Sequence, residues 1–302
     1  MIAIQPFGDF KIKSGGEVMS LRHFKSKKVL SLIKYLIFNQ NNPYSSDELY
    51  DQFCFDSDNP SSALKNLIYR AKLLISETNL PEDQYIILKD GVYYWNKDIE
   101  IKLINEEFEN AVLKGNDRKL SLEERVSAYE LAADLYKDYF LLDIQYEKWV
   151  VPLTRYYHNL YISCVNNLCS IYDEINEQKK LEAVCRRAIK IDSHQEDIYV
   201  RLMQSLMKQN RYQEAYDTYC TAENVFFDEL GASLSSETKQ LYKKIMSCLT
   251  NEERNIEVIK NDLLNEEETE GAFVCNYEIF KSIYRVYHRT MQIVSFDLCI
   301  VL

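Results

Sequence analysis

Glycine and proline are scarce in this chain, seven and five among 302 residues. Sandwiches and barrels need many turn residues, so the scarcity argues against them and for a mostly helical protein. Nowhere is there a run of about 18 apolar residues, which leaves no candidate for a membrane-spanning helix. The opening MIAIQPFGDF lacks the cationic start and apolar stretch of a secretory signal, so a cytoplasmic protein without a membrane partner is expected. Cysteine pairing is absent too: Cys54, Cys164, Cys169, Cys185, Cys220, Cys248, Cys275 and Cys299 are dispersed, with no C-x-x-C pair. They read as reduced, small core residues. His23, His158, His194 and His288 are isolated. No phosphate loop, nucleophile elbow or H-E-x-x-H occurs, so neither an enzyme, a cofactor nor a metal site is expected.

Charge is what the chain has in one sign, and unevenly. The formal net charge is -11. Residues 1–97 hold 12 Lys and Arg against 11 Asp and Glu, whereas the remainder holds 24 against 36. A near-neutral head with a local basic face is able to approach a polyanion, while the acidic body is repelled and faces protein partners.

The basic face is legible between Asn59 and Ser76, a stretch without Asp or Glu that carries Lys65, Arg70 and Lys72. Asn59 suits an N-cap and Pro60 the first helical position. Leu64, Leu67, Ile68, Ala71, Leu74 and Ile75 recur at the helical period and define a buried face. Ser62, Lys65, Asn66, Tyr69 and Leu73 fall opposite, flanked by Arg70 and Lys72. An amide such as Asn66 is able to bond a base edge in pairs, and the cations suit phosphates or guanine. Taken alone, the helix fits an ordinary solvated face equally well.

Its neighbours favour the first reading. Phe24–Asn39 is expected as an amphipathic helix with Lys25, Lys27, Lys28 and Lys34. Ser45 or Ser46 caps a short helix through Phe53, with Asp47 and Glu48 in its acid-favouring first turn. Tyr85–Leu88 and Val92–Trp95 flank Lys89-Asp90-Gly91, a strong hairpin signal. Upstream, Ile2–Lys13 and Glu17–Leu21 flank Gly15-Gly16 as a second hairpin. The order hairpin, three helices, hairpin resembles the OmpR-type winged-helix DNA-binding domain. Ser62, Lys65, Asn66, Tyr69, Arg70, Lys72 and, at the wing tip, Lys89 are the candidate DNA-binding residues.

Beyond residue 98 the pattern is helix after helix: Leu122–Tyr139, Val151–Glu177, Lys180–Ile191, Glu196–Lys208, Tyr212–Phe226 and Ser236–Leu249. Leu181-Glu182-Ala183 and Gln213-Glu214-Ala215 look alike and lie 32 residues apart, near the 34-residue period of tetratricopeptide repeats. The small Ala in each is expected to let paired helices approach closely.

Leu135-Tyr136-Lys137-Asp138-Tyr139-Phe140-Leu141, Trp149 with Arg155, Ile191-Asp192, Glu196, Arg201-Leu202-Met203, Asn210-Arg211, Glu214-Ala215 and Asp228-Glu229-Leu230-Gly231 followed by Ser235-Ser236-Glu237-Thr238 resemble the bacterial transcriptional activator domain of the Streptomyces-type antibiotic regulatory proteins. Tyr69-Arg70-Ala71-Lys72 occupies that family's Arg-rich recognition segment, with Lys72 where Arg is usual. The likeness spans about residues 1–250. It implies an activator that binds direct repeats in double-stranded DNA as side-by-side protomers and touches RNA polymerase; the helical repeats themselves are expected to expose a concave groove suited to a peptide, a partner domain or a small-molecule effector. The competing expectation is an interaction or ligand-sensing adaptor whose repeats are the active part and whose winged helix is a scaffold. The expected fold class is mainly α, with a small α+β N-terminal domain (1–97), tetratricopeptide-like helical repeats (98–250), an acidic linker (251–271) and a short α/β tail (272–302).

Overall fold

Four short strands from both ends of the first hundred residues build one small sheet. The computed structural model describes residues 2–20, 26–40, 44–78, 80–81, 83–252, 279, 282–283 and 285. The acidic linker and the short α/β tail expected for 272–302 otherwise lie outside them. Residues up to Leu249 form one compact unit.

In that unit β1 (Ile2–Gln5), β2 (Lys11–Ser14) and β3 (Glu17–Ser20) form an antiparallel meander, and β7 (Ile101–Leu103) lies parallel to β1. The single strand expected over Ile2–Lys13 is therefore two. Gly8, at φ +76°, breaks it in a region that L side chains rarely adopt. The Gly15-Gly16 turn stands as read, both residues with positive φ.

Three helices follow: α1 (Lys27–Phe38), α2 (Ser46–Phe53) and α3 (Pro60–Ser76). Ser45 caps α2 through a reciprocal capping box with Glu48. A second sheet, in the order β4 (Tyr44–Ser45), β6 (Val92–Trp95), β5 (Ile86–Lys89), closes this part of the chain. Asp90 (φ +53°) and Gly91 (φ +79°) turn the β5–β6 hairpin. Positive φ at both central residues is the tight turn that matches strand twist.

The body is helical: α4 (Ile104–Asn116), α5 (Leu122–Leu135), α6 (Val151–Glu174), α7 (Gln178–Ile191), α8 (Glu196–Lys208), α9 (Tyr212–Leu230) and α10 (Ser236–Glu252), with a short 3-10 turn at Leu142–Ile144. Successive helices pack on one another from α5 through α9. Helix α5 ends at Leu135 rather than Tyr139, because Tyr136 and Phe140 turn into the core instead of continuing the helix.

The repeat has a register of 34 residues, not 32. Buried Cys164, Val165, Leu168, Cys169, Ile171 and Tyr172 of α6 correspond to buried Ile198, Tyr199, Leu202, Met203, Ser205 and Leu206 of α8. Leu181, Cys185 and Ala188 of α7 correspond in the same way to Ala215, Tyr219 and Ala222 of α9. Asn176 and Asn210, also 34 apart, take left-handed φ of +59° and +58° at the helix–helix turns. Asn tolerates that conformation better than most residues. Ala183 is consequently exposed while Ala215 is fully buried, so only the second of the two matches the close-approach expectation.

Candidate nucleic-acid interface

Helix α3 starts where Asn59 Oδ1 accepts the Ser62 backbone N–H at 3.1 Å. One face carries Leu64, Leu67, Ile68, Ala71 and Ile75, all buried. This face packs on α1 and α2. Ala71 is fully buried, and its small side chain allows that approach. Opposite, Ser62, Lys65, Asn66, Tyr69, Arg70 and Lys72 are all exposed. Tyr69 is 66% and Leu73 46% accessible, high values for side chains that ordinarily avoid water. No ion pair engages Lys65, Arg70 or Lys72 among the described residues.

The β5–β6 hairpin is held at its base. Tyr44 pairs with Tyr93 and Ser45 with Val92, so β4 ties the hairpin to the start of α2. Ser46 Oγ donates to the Gly91 carbonyl at 3.4 Å. Trp95 is almost completely buried and packs on Tyr85 at a ring distance of 5.4 Å. Lys89, one residue before the turn, is exposed. The geometry therefore combines a helix with a polar, acid-free outer face and a hairpin with a cation near its tip. Such a set of groups is chemically competent to bond phosphates and base edges.

The cations of α1 have separate fates. Lys28 pairs with Asp56 at 3.3 Å on the surface. Lys34, one of the basic residues of this amphipathic helix, is 1% accessible and binds Asp143 Oδ2 at 2.5 Å. Its Nζ also lies 4.7 Å from the Phe10 ring centroid. Burial pulls its pKa below the ordinary lysine value, against the opposing pull of Asp143. No local sequence pattern marks Lys34, because its partner lies 109 residues along the chain.

The same seam joins the small sheets and α1 to the helical body. Phe7 sits among Phe108, Tyr136, Phe140 and Tyr157, with ring distances of 4.8–6.1 Å. The Gly8 N–H donates to the Tyr139 carbonyl at 3.0 Å, and the Leu141 N–H donates to the Pro6 carbonyl at 2.9 Å. Thus the Leu135–Leu141 segment is the strap that holds the N-terminal sheet. Ser31 Oγ donates to Glu147, which also accepts the Trp149 indole N–H at 2.8 Å. Trp149 is half-buried and meets Tyr35 edge-on at 5.1 Å.

Deeper in the repeats, Asp192 accepts from His158 Nε2 at 2.9 Å, Gln195 Nε2 at 2.8 Å and the His194 N–H at 2.9 Å. These bonds, the one to His158 foremost, hold its carboxyl far below the usual range. Arg211 bridges Glu182 and Glu214, one from each of the two look-alike segments. Six cysteines among the described residues are free thiols, four of them buried. No described helix is long and apolar enough to cross a membrane.

Protein DIA2 of Saccharomyces cerevisiae is 31% identical over 64 residues, 21% of this chain. The chain spans only 9% of that relative's length. The solved structure of Mycobacterium tuberculosis EmbR in complex with a low affinity phosphopeptide superposes with a TM-score of 0.54. It is 12% identical, and the likeness covers 86% of this chain and 70% of that one, which shows a shared fold. The TPR2B domain of yeast Sti1 is 19% identical over 47% of this chain and 98% of its own, with a TM-score of 0.33. Residues 105–246, from α4 into α10, match the family described as the bacterial transcriptional activator domain.

Proposed function

We propose that the chain is a sequence-specific DNA-binding transcriptional regulator of the activator type. Its residues 1–97 act as a winged helix and its repeats as the protein-facing body. One observation carries this reading: the outer face of α3 is exposed, polar, aromatic and free of acid, within a chain of net charge -11. In this reading α3 lies in the major groove. Ser62, Lys65, Asn66 and Tyr69 meet base edges, Arg70 and Lys72 hold phosphates or a guanine, and Lys89 reaches the adjacent backbone. Two protomers side by side read direct repeats about one helical turn apart. The activator-domain match at 105–246 supports a role in recruiting RNA polymerase.

The test is selection from pooled random duplexes at low and moderate salt, with sequencing of the retained DNA. Enrichment of a directly repeated motif, with affinity falling steeply as salt rises, is the expected result. No retention at either salt would sink the DNA reading and leave the adaptor, in which the repeats alone act.

A further inference from the structure

The two most exposed large apolar side chains of the described residues are Tyr146, 88% accessible, and Phe55, 81% accessible. They are 91 positions apart in sequence yet line one open cleft of about 430 Å³. Phe55 comes from the turn between α2 and α3, and Tyr146 from the segment between the 3-10 turn and α6. Lys27, Lys28 and Lys148 line the same cleft. Through Lys148 it continues into a second cleft of about 420 Å³ bearing Val151, Arg155 and Tyr156. Val151 and Tyr156 are each 50% accessible. Exposed aromatic clusters of this kind, with cations beside them, mark interaction sites rather than ordinary surface.

The charges decide what fits. Three carboxylates stand beside this surface: Glu147 accepts from Ser31 and Trp149, Asp56 pairs with Lys28, and Asp51 lines the cleft without an ion-pair partner among the described residues. Lys27, Lys148 and Arg155 have no ion-pair partner among the described residues. Lys27, Lys28, Lys148 and Arg155 outnumber Asp51, Asp56 and Glu147 here, and an aromatic surface with a cationic excess in an acidic protein is complementary to a segment that is acidic and apolar together. Duplex phosphates would use the cations but leave Phe55 and Tyr146 in water.

We propose that this seam cleft docks an acidic segment of a partner protein, bearing aromatic or aliphatic side chains that pack on Phe55 and Tyr146 while its carboxylates meet Lys27, Lys148 and Arg155. The site draws on both the N-terminal helices and the start of the repeats, so an occupant bridges them. It does not depend on α3 touching DNA.

The experiment uses the full chain and a displayed library of random 12-residue peptides, counter-selected on a Phe55→Ser/Tyr146→Ser double variant. Both positions are exposed, so the variant should melt with the parent. Enriched peptides should combine Asp or Glu with Phe, Leu or Trp. A synthetic copy should bind the double variant, and separately Lys148→Glu, about tenfold or more weakly than the parent, as loss of an aromatic or charged anchor gives. Its affinity should fall with salt and be unchanged by Arg70→Ala. The proposal is overturned if no peptide is enriched, if the enriched peptides are basic, or if the double variant binds them equally. It is also overturned if Lys148→Glu and the double variant lose duplex DNA as Arg70→Ala does, because the surface would then belong to DNA.

Discussion

Lys34 of α1 and Asp143 of the 3-10 turn form an ion pair of unequal partners: Lys34 is 1% accessible and Asp143 53%. The ammonium has left water, and the carboxylate has not. The consequences of breaking the pair from its two ends therefore differ. Asp143→Ala strands a buried charge, softened by Glu147 nearby, and should cost roughly 3 kcal/mol. Lys34→Met leaves a carboxylate that water solvates and fills the same space, so it should cost less than about 1.5 kcal/mol. Equal losses in urea denaturation would mean that the pair is solvated at both ends.

Asp192 gives the clearest pH signature. Its carboxyl has a folded pKa well below the ordinary 3.8. The sign follows from linkage: the unfolded state binds the proton first, so this stabilisation is complete above about pH 4 and lost as pH falls below it. Asp192→Asn should flatten the acid limb of a melting-temperature profile between about pH 4 and pH 2. Asp192→Ala should cost roughly 3 kcal/mol at neutral pH, since it removes the acceptor shared by the largely buried His158 and by Gln195. A parent and an Asn variant with parallel acid limbs would remove Asp192 from that role.

Gly115 lies inside α4, where alanine would ordinarily favour the helix by about 0.5–1 kcal/mol. Here a Cβ would stand 2.5 Å from the Tyr129 ring. That ring is 1% accessible and its hydroxyl donates to Asn116 at 2.6 Å, so it has nowhere to go. Gly115→Ala should destabilise by about 1–3 kcal/mol, overpacking outweighing propensity. Combining it with Tyr129→Leu should recover part of the loss. A stabilised single variant would show that the ring yields.

Arg70 and Leu64 separate recognition from folding on the same helix. Arg70 is exposed, so Arg70→Ala should leave melting unchanged and weaken binding to the selected duplex by about 1–3 kcal/mol if it grips guanine. Leu64 is 1% accessible, and Leu64→Ala should cost about 2–5 kcal/mol of stability. Equal affinity of Arg70→Ala and parent would take Arg70 out of the interface.

Trp149→Ala should cost about 2 kcal/mol, less than a fully buried Trp, because the ring is half-buried and its specific gain is the edge-on contact with Tyr35. Chemical denaturation followed by circular dichroism measures it. An unchanged midpoint would mean that Tyr35 and Trp149 contribute nothing to the seam.

Features set by near neighbours could be read from the residues alone. The cap at Asn59, the two faces of α3 and the Asp90-Gly91 turn were legible because helix period, capping and positive φ are set within a few residues. So was the succession of body helices, and helix α8 falls on the expected Glu196–Lys208. The remaining features depend on contacts between segments far apart in the chain. Lys34 looks like any surface lysine until Asp143 and Phe10 enclose it. Strand β7 exists only because β1, about a hundred residues earlier, offers it hydrogen bonds. The repeat period shifted from 32 to 34 because burial on neighbouring helices, rather than resemblance of three letters, fixes which residues are equivalent. Phe55 and Tyr146 line one cleft only in the folded chain, because a cleft shared by distant segments has no local period to announce it.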